Sequence, residues 1–122
     1  MDKVRNILVL GVSGMLGSMV YKYFCKRPSF ITRGTVINSL DIPFDKQDDL
    51  FFLDINGNYQ LELKSIISVF EPDYIINCTG IINKYCRDND PLCVRKAILV
   101  NSMFPHELSS FFEKHSPQTR II

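Results

Sequence analysis

Apolar positions along the chain switch several times between strand-like and helix-like spacing. Ile7-Leu8-Val9-Leu10 is an uninterrupted apolar run of strand length that breaks at Gly11. After the break, Met15, Leu16, Met19, Val20, Tyr23 and Phe24 recur at helical spacing and predict the apolar face of an amphipathic helix that Pro28 stops. Phe30-Ile31-Thr32-Arg33-Gly34-Thr35-Val36-Ile37 is rich in β-branched residues and predicts a second strand. A polar connection holding Pro43 and Asp48-Asp49 follows, and Leu50-Phe51-Phe52-Leu53 reads as a third strand, short and buried, ending at Asp54. Asn56-Gly57-Asn58 is a turn, and Leu61, Leu63, Ile66, Ile67 and Phe70 mark a helix that ends before Pro72. Tyr74-Ile75-Ile76-Asn77-Cys78 is the next strand, closed by Thr79-Gly80. Asp90-Pro91 pairs a helix N-cap with a proline at the first helical position, and helical character then runs over 91–115 with an interruption or kink near Pro105. Arg120-Ile121-Ile122 has the composition of a fifth strand beginning.

Alternation of strand and helix with short connections implies an α/β fold: a doubly wound parallel sheet with helices on both faces and right-handed crossovers. Such sheets bind ligands beyond the carboxyl ends of their strands. The strand ends here are Gly11, the segment 35–38, Asp54 and Thr79-Gly80, all suited to that edge.

The first of these ends carries the sharpest chemical signal. Gly11-Val12-Ser13-Gly14-Met15-Leu16-Gly17 places Gly-x-x-Gly-x-x-Gly directly between a strand and a helix. Gly11 would let the chain turn out of the strand, Gly14 would let backbone N–H groups approach a pyrophosphate, and Gly17 would let helix and strand pack closely. The positive end of the following helix would then point at the anion. A glycine triplet in an ordinary structural turn is the alternative, and the strand and helix on either side favour the nucleotide-binding reading. A flavodoxin-like or receiver-type domain would share the sheet without the triplet.

Composition narrows the remaining classes. With 122 residues the chain is one domain over 1–122, and 46 % apolar and 11 % aromatic content suffices for a core. Fourteen basic and thirteen acidic side chains leave a net charge of +1, which argues against nucleic-acid or membrane-surface binding through bulk charge. The sequence has no bilayer-spanning apolar run, and its first residues lead straight into a strand, so a soluble, cytoplasmic protein is expected. Cys25, Cys78, Cys86 and Cys93 lack paired close spacing, and at least two fall on expected buried faces, so reduced thiols are expected. Cys86, Cys93, His106 and His115 match no zinc pattern, and nothing places a base beside a thiol, so neither a metal site nor a cysteine nucleophile is expected.

Taken together, five segments resemble the extended short-chain dehydrogenase/reductase superfamily, and within it the dTDP-4-dehydrorhamnose reductase-like branch of sugar-nucleotide reductases. They are Gly-Val-Ser-Gly-Met-Leu-Gly at the first turn, Arg-Gly-Thr-Val in the second strand, Leu-Asp-Ile at 53–55, Pro-Asp-Tyr-Ile-Ile-Asn-Cys-Thr-Gly-Ile-Ile-Asn-Lys at 72–84 and Val-Asn-Ser-Met-Phe-Pro-His-Glu-Leu at 100–108. The resemblance implies a Rossmann-type sheet, NADP or NAD as cofactor, a nucleotide-sugar substrate in the complete parent protein, and it allows a homodimer. Gly11, Ser13, Gly14, Met15, Leu16 and Gly17 would hold the pyrophosphate, Asp54 would accept from the adenine amino group, and Ile55 would pack on the ring. Cys78, Thr79, Gly80 and Ile81 would lie along the nicotinamide ribose, and Asn101 would support the active-site architecture. Plainer roles exist for several of these: a turn carboxylate for Asp54, a strand-ending turn for Gly80 and a surface position for Asn101.

Two departures from the family pattern affect function. Relatives that prefer NADP carry a basic residue after Gly-Thr-Val, where this chain has Ile37 and Asn38; Arg33 lies inside the strand, and the nearest carboxylate, Asp41, comes several residues late. The family's proton donor is the Tyr of a Tyr-x-x-x-Lys pair, and none of Tyr21, Tyr23, Tyr59, Tyr74 and Tyr85 has Lys four residues on. The chain therefore reads as the N-terminal, cofactor-binding part of a reductase, stopping at the start of strand five and inactive by itself. A non-catalytic dinucleotide-binding regulatory module is the alternative.

Overall fold

A computed structural model of the chain describes residues 2–37, 49–82 and 87–122. Asn38, Asp41, Pro43, Asp48, Lys84, Tyr85 and Cys86 lie outside the described residues. Five strands, β1 (Arg5–Leu10), β2 (Phe30–Val36), β3 (Leu50–Phe52), β4 (Tyr74–Asn77) and β5 (Arg120–Ile121), pair in parallel in the order β3-β2-β1-β4-β5. Between them run α1 (Met15–Cys25), α2 (Tyr59–Val69), α3 (Pro91–Ile98), a five-residue π turn (Leu99–Met103) and α4 (Phe104–His115).

The central strand explains the wound sheet. Successive side chains of β1 point to opposite faces, and both faces are covered, so the strand can be apolar throughout. Ile7 and Val9 pack with Val12, Val36 and Tyr21 of α1. Leu8 and Leu10 pack on the other face with Ile75, with Leu63 and Ile66 of α2, and with Phe104, Leu108, Phe111 and Phe112 of α4. Phe104 and Phe112 are among the largest fully buried side chains, each contributing roughly 1.5 to 3 kcal/mol relative to an exposed position.

Four expectations about burial are corrected. Met15 is 83 % exposed, and Leu16, Met19 and Tyr23 are exposed with it, so most of the apolar face expected for α1 points away from the sheet. The face that packs is built on Gly17 and Tyr21, with Val20 and Phe24 half-buried beside them. Gly17 decides this, because only a residue without a side chain can lie against the loop that begins the helix, and its position sets the rotation of the whole element. Likewise β3 is an edge strand with Phe52 exposed, and Leu61 faces out of α2. The described cysteines are less buried than expected: Cys25 is exposed and Cys78 and Cys93 are half-buried, and none of the three is in a disulfide.

Asp90 caps α3 as its position before Pro91 predicts, its carboxylate accepting from Leu92 N at 3.0 Å. The break expected near Pro105 is the π turn. A proline cannot donate to the carbonyl four residues back and its ring crowds that group. The helix widens over Leu99–Met103, with Phe104 N donating to Leu99 O, and α4 starts with Pro105 in its first turn.

Burial also gives the fold an alkaline limit. Tyr21 is 3 % exposed, and its hydroxyl pKa is raised, chiefly by burial, with the Cys25 thiol adding to the effect. Unfolded tyrosine ionises near pH ~10, while folded Tyr21 keeps its proton, so the native state holds more protons and stability falls as pH rises past that value. Urea midpoints measured between about pH 8 and about pH 11 are expected to decline, with a shallower slope in Tyr21→Phe. An identical slope in that variant would assign the alkaline loss to other groups.

Candidate functional site

β1 is flanked by β2 on one side and β4 on the other, so the chain reverses its direction of travel across the sheet at this point. Crevices open at such switch points beyond the carboxyl ends of the strands. Here a cavity of about 170 Å³ is lined by Gly11, Ser13 and Gly14 after β1, by Thr35, Val36 and Ile37 at the end of β2, by Leu53, Ile55 and Asn56 after β3, and by Cys78, Thr79, Gly80, Ile81 and Val100.

The glycine loop is held by the neighbouring strand. Gly11 turns with φ +81°, the one positive φ among the described residues, and a side chain there would be strained. Gly11 N donates to Thr35 Oγ1 at 3.1 Å, and Val12 N donates to the Thr35 carbonyl at 3.0 Å. Gly14 N closes the loop onto Gly11 O at 3.2 Å. Gly14 is the N-cap of α1 in extended conformation, with no side-chain cap and no acidic residue in the first turn. The leading amides and the positive end of the helix dipole are thereby left for an anion.

The segment after β4 is fixed from two directions. Asn77 Oδ1 accepts from Thr79 N at 3.1 Å and from Thr79 Oγ1 at 2.6 Å. From the π turn, Asn101 Nδ2 donates to Ile81 O and Asn101 Oδ1 accepts from Ile81 N, both at 2.8 Å. Helices widened in this way recur at functional sites because the bulge re-aims a side chain. Here the re-aimed side chain pairs with backbone as a neighbouring strand would. Cys78 stands in this segment, and burial raises the pKa of its thiol.

After β3, Asp54 organises a turn: its Oδ1 accepts from Asn56 N at 3.0 Å, its carbonyl accepts from Gly57 N at 3.0 Å, and its own N–H donates to Glu62 Oε2 at 2.8 Å. The turn presents Ile55 and Asn56 to the cavity.

Of the residues singled out in the sequence, Gly11, Ser13, Gly14, Ile55, Cys78, Thr79, Gly80 and Ile81 line this one cavity. Met15, Leu16, Gly17, Asp54 and Asn101 stand outside its lining: Met15 and Leu16 are exposed on α1, Gly17 is buried under the loop, Asp54 holds its turn and Asn101 acts on Ile81. Arg33 is outside the cavity lining, with its guanidinium 5.4 Å from the Phe51 ring centroid and 5.2 Å from that of Phe70. Leu53, Asn56 and Val100 also line the cavity without having been singled out in the sequence, and Thr35, Val36 and Ile37, placed on the ligand edge as part of 35–38, line it as well. For all but Val100, which stands in the π turn, the available signal was their place at or just after strand ends, which the apolar pattern already marked.

Of three comparisons with known proteins, two bear on this geometry. A search of curated proteins finds no match. Among solved structures, the chain is similar to a short chain dehydrogenase family protein from Francisella tularensis subsp. tularensis SCHU S4, with 17 % identity, TM-score 0.74, and 96 % of this chain and 47 % of that chain covered. It is similar to a short chain dehydrogenase from Leptospira borgpetersenii serovar Hardjo-bovis with bound NAD+, at 22 % identity and TM-score 0.68, covering 89 % of this chain and 44 % of that one. It is also similar to the Bordetella bronchiseptica enzyme WbmH in complex with NAD+, at 15 % identity and TM-score 0.64, covering 90 % and 35 %. These likenesses establish a shared fold, and the chain spans less than half the length of each. The model of the NAD dependent epimerase/dehydratase family matches residues 7–99, from the first buried strand into the π turn. The chain belongs to that family.

Proposed function

We propose that the chain is the NAD(P)-binding part of a sugar-nucleotide reductase of the dTDP-4-dehydrorhamnose reductase-like kind. The observation that carries the binding step is the convergence, on one switch-point cavity, of the Gly11 turn, the uncapped amides of α1 and the clamped segment 78–81. The cradle fits a pyrophosphate: a Cβ placed on Gly14 would meet nothing closer than Gly11 O at 3.6 Å, so the space before the loop is open, and among the described residues no carboxylate lines it. Leu53, Ile55 and Ile37 supply apolar surface for a base, and Thr79 and Gly80 supply a backbone edge for the second ribose.

Bound there, a nicotinamide dinucleotide supplies a hydride donor or acceptor. The chain's own residues bind and orient it. Among the described residues the cavity's one titratable side chain is Cys78, whose raised pKa keeps it a neutral thiol, so the lining supplies shape and hydrogen bonds rather than a proton donor. The sugar-nucleotide assignment is supported by the order and spacing of the five sequence segments.

Calorimetry with NAD+, NADH, NADP+ and NADPH is expected to give binding in the micromolar to millimolar range; no heat with any of the four would overturn the binding step. The full-length protein is expected to consume NADH or NADPH with a 4-keto nucleotide sugar. Binding without such turnover would favour the non-catalytic module.

A further inference from the structure

We infer that Glu62, in the first turn of α2, is a positioning residue of the crevice: its carboxylate fixes the backbone of the 54–57 turn and so sets affinity for the base half of the ligand without touching it. The inference rests on the dinucleotide reading above. β3 is an edge strand that ends at Phe52. Leu53 N still finds the neighbouring strand, donating to Val36 O at 3.0 Å. Asp54 N–H has left the sheet, and it donates to Glu62 Oε2 at 2.8 Å across eight residues. This bond is not a helix cap, since the N-cap of α2 is Asn58 and the carboxylate reaches past it.

The bond ties the turn to the core. Glu62 is half-buried and stands beside Leu63, which is buried with Ile66 on the face that α2 packs against the sheet. The other described bonds of the turn, from Asn56 N to Asp54 Oδ1 and from Gly57 N to Asp54 O, run within it and give it shape rather than place. Without an acceptor at Glu62 a half-buried amide would lose its partner, and Ile55 and Asn56, which line the cavity, would lose their fixed position. A binding wall needs its groups held to about 0.5 Å. Across the crevice Asn101 does corresponding work, bonding the Ile81 backbone from the π turn. Each wall is thus held by a helical side chain acting on main chain. The glycine loop is held differently, through Thr35 of β2, so the phosphate half of the ligand is independent of Glu62.

Nuclear magnetic resonance titrations with NAD+, AMP and inorganic pyrophosphate separate the two halves. Glu62→Ala is expected to weaken NAD+ and AMP about tenfold each and to leave pyrophosphate within about twofold of wild type. Glu62→Gln keeps an oxygen for Asp54 N–H and is expected to bind NAD+ and AMP within about threefold of wild type. Unchanged NAD+ and AMP affinity in folded Glu62→Ala, an equal loss for pyrophosphate, or Glu62→Gln as weak as Glu62→Ala would overturn the inference. Should Glu62→Ala fail to fold, hydrogen exchange on the wild type decides: the Asp54 amide is expected to exchange at least about 100-fold more slowly than in an open chain, and exchange at the open-chain rate would overturn the inference equally. Failure of the wild type to bind NAD+ is a different result, which overturns the dinucleotide reading itself.

Discussion

Gly17→Ala is expected to be the most damaging single methyl addition in the glycine loop. A Cβ at this position would lie 1.9 Å from Gly11 O, 2.7 Å from Gly11 C and 3.2 Å from Val12 Cα. All three neighbours are backbone, so no side chain can rotate away, and α1 would have to lift off the loop that it closes. Overpacking of this kind costs about 1 to 3 kcal/mol and occasionally more, and a contact this short against backbone belongs at the upper end. The helix propensity gained in replacing glycine returns only about 1 kcal/mol. The net loss of about 2 kcal/mol should lower Tm by roughly 8 °C in a domain of this size. A Tm within about 2 °C of wild type would mean that α1 does not sit as close to Gly11 as described.

Gly14→Val is expected to have the opposite signature. Its Cβ would meet only Gly11 O, at 3.6 Å, an ordinary contact, and the residue's φ of −78° and ψ of 167° suit a β-branched side chain. The penalty to the fold is the poorer N-cap, about 1 kcal/mol. The side chain would, however, stand in the cavity in front of the α1 amides, in the space proposed for a pyrophosphate. Dinucleotide affinity should fall by about 100-fold or more, equivalent to at least ~2.8 kcal/mol. Calorimetry on the folded variant decides, and wild-type affinity would remove the glycine loop from the binding site. The pair of variants tests separately the two roles that the spacing of the glycines assigns, one for closing the helix on the loop and one for leaving room before it.

Much of the fold follows from periodicity because β1 and β4 sit in the interior of a doubly covered sheet, where residues 7–10 and 74–76 form unbroken apolar runs. The glycine turn, the Asp90 cap and the Pro105 disturbance are equally legible, since each depends on the conformational limits of one residue type. The orientation of α1 is not. The expected face joined Val20 and Phe24, which do pack, to Met15, Leu16, Met19 and Tyr23, which are exposed, and it missed Tyr21, so a count of apolar positions sets the helix at the wrong rotation. The constraint that overrides the count is steric and comes from a residue with no side chain. Thr35 escapes for a related reason: its importance depends on β2 pairing with β1 in the register that sets Val9 beside Gly34, which brings the next hydroxyl to Gly11 N. Asn101 was singled out by resemblance alone, and its reciprocal bonds to Ile81 span 20 residues through a widened helix that no local pattern encodes. For the ligand contacts themselves the sequence offers residue types and strand ends, while the lining depends on how four strand ends meet.

The parallel order of the strands also bears on when the crevice forms. β1 reaches β2 across 24 residues, as in the bond from Gly11 to Thr35, but reaches β4 across 67, as in the bond from Asn6 N to Asp73 Oδ2. Loop closure over the longer separation costs roughly 0.9 kcal/mol more entropy, so the β1-α1-β2 unit is the natural early structure and β4 docks later. The glycine loop would then acquire its turn and its Thr35 anchor before the opposite wall, 78–81, exists. A partly folded chain would present a finished glycine loop on an unfinished crevice, and the two-walled cavity would appear only once β4 pairs with β1.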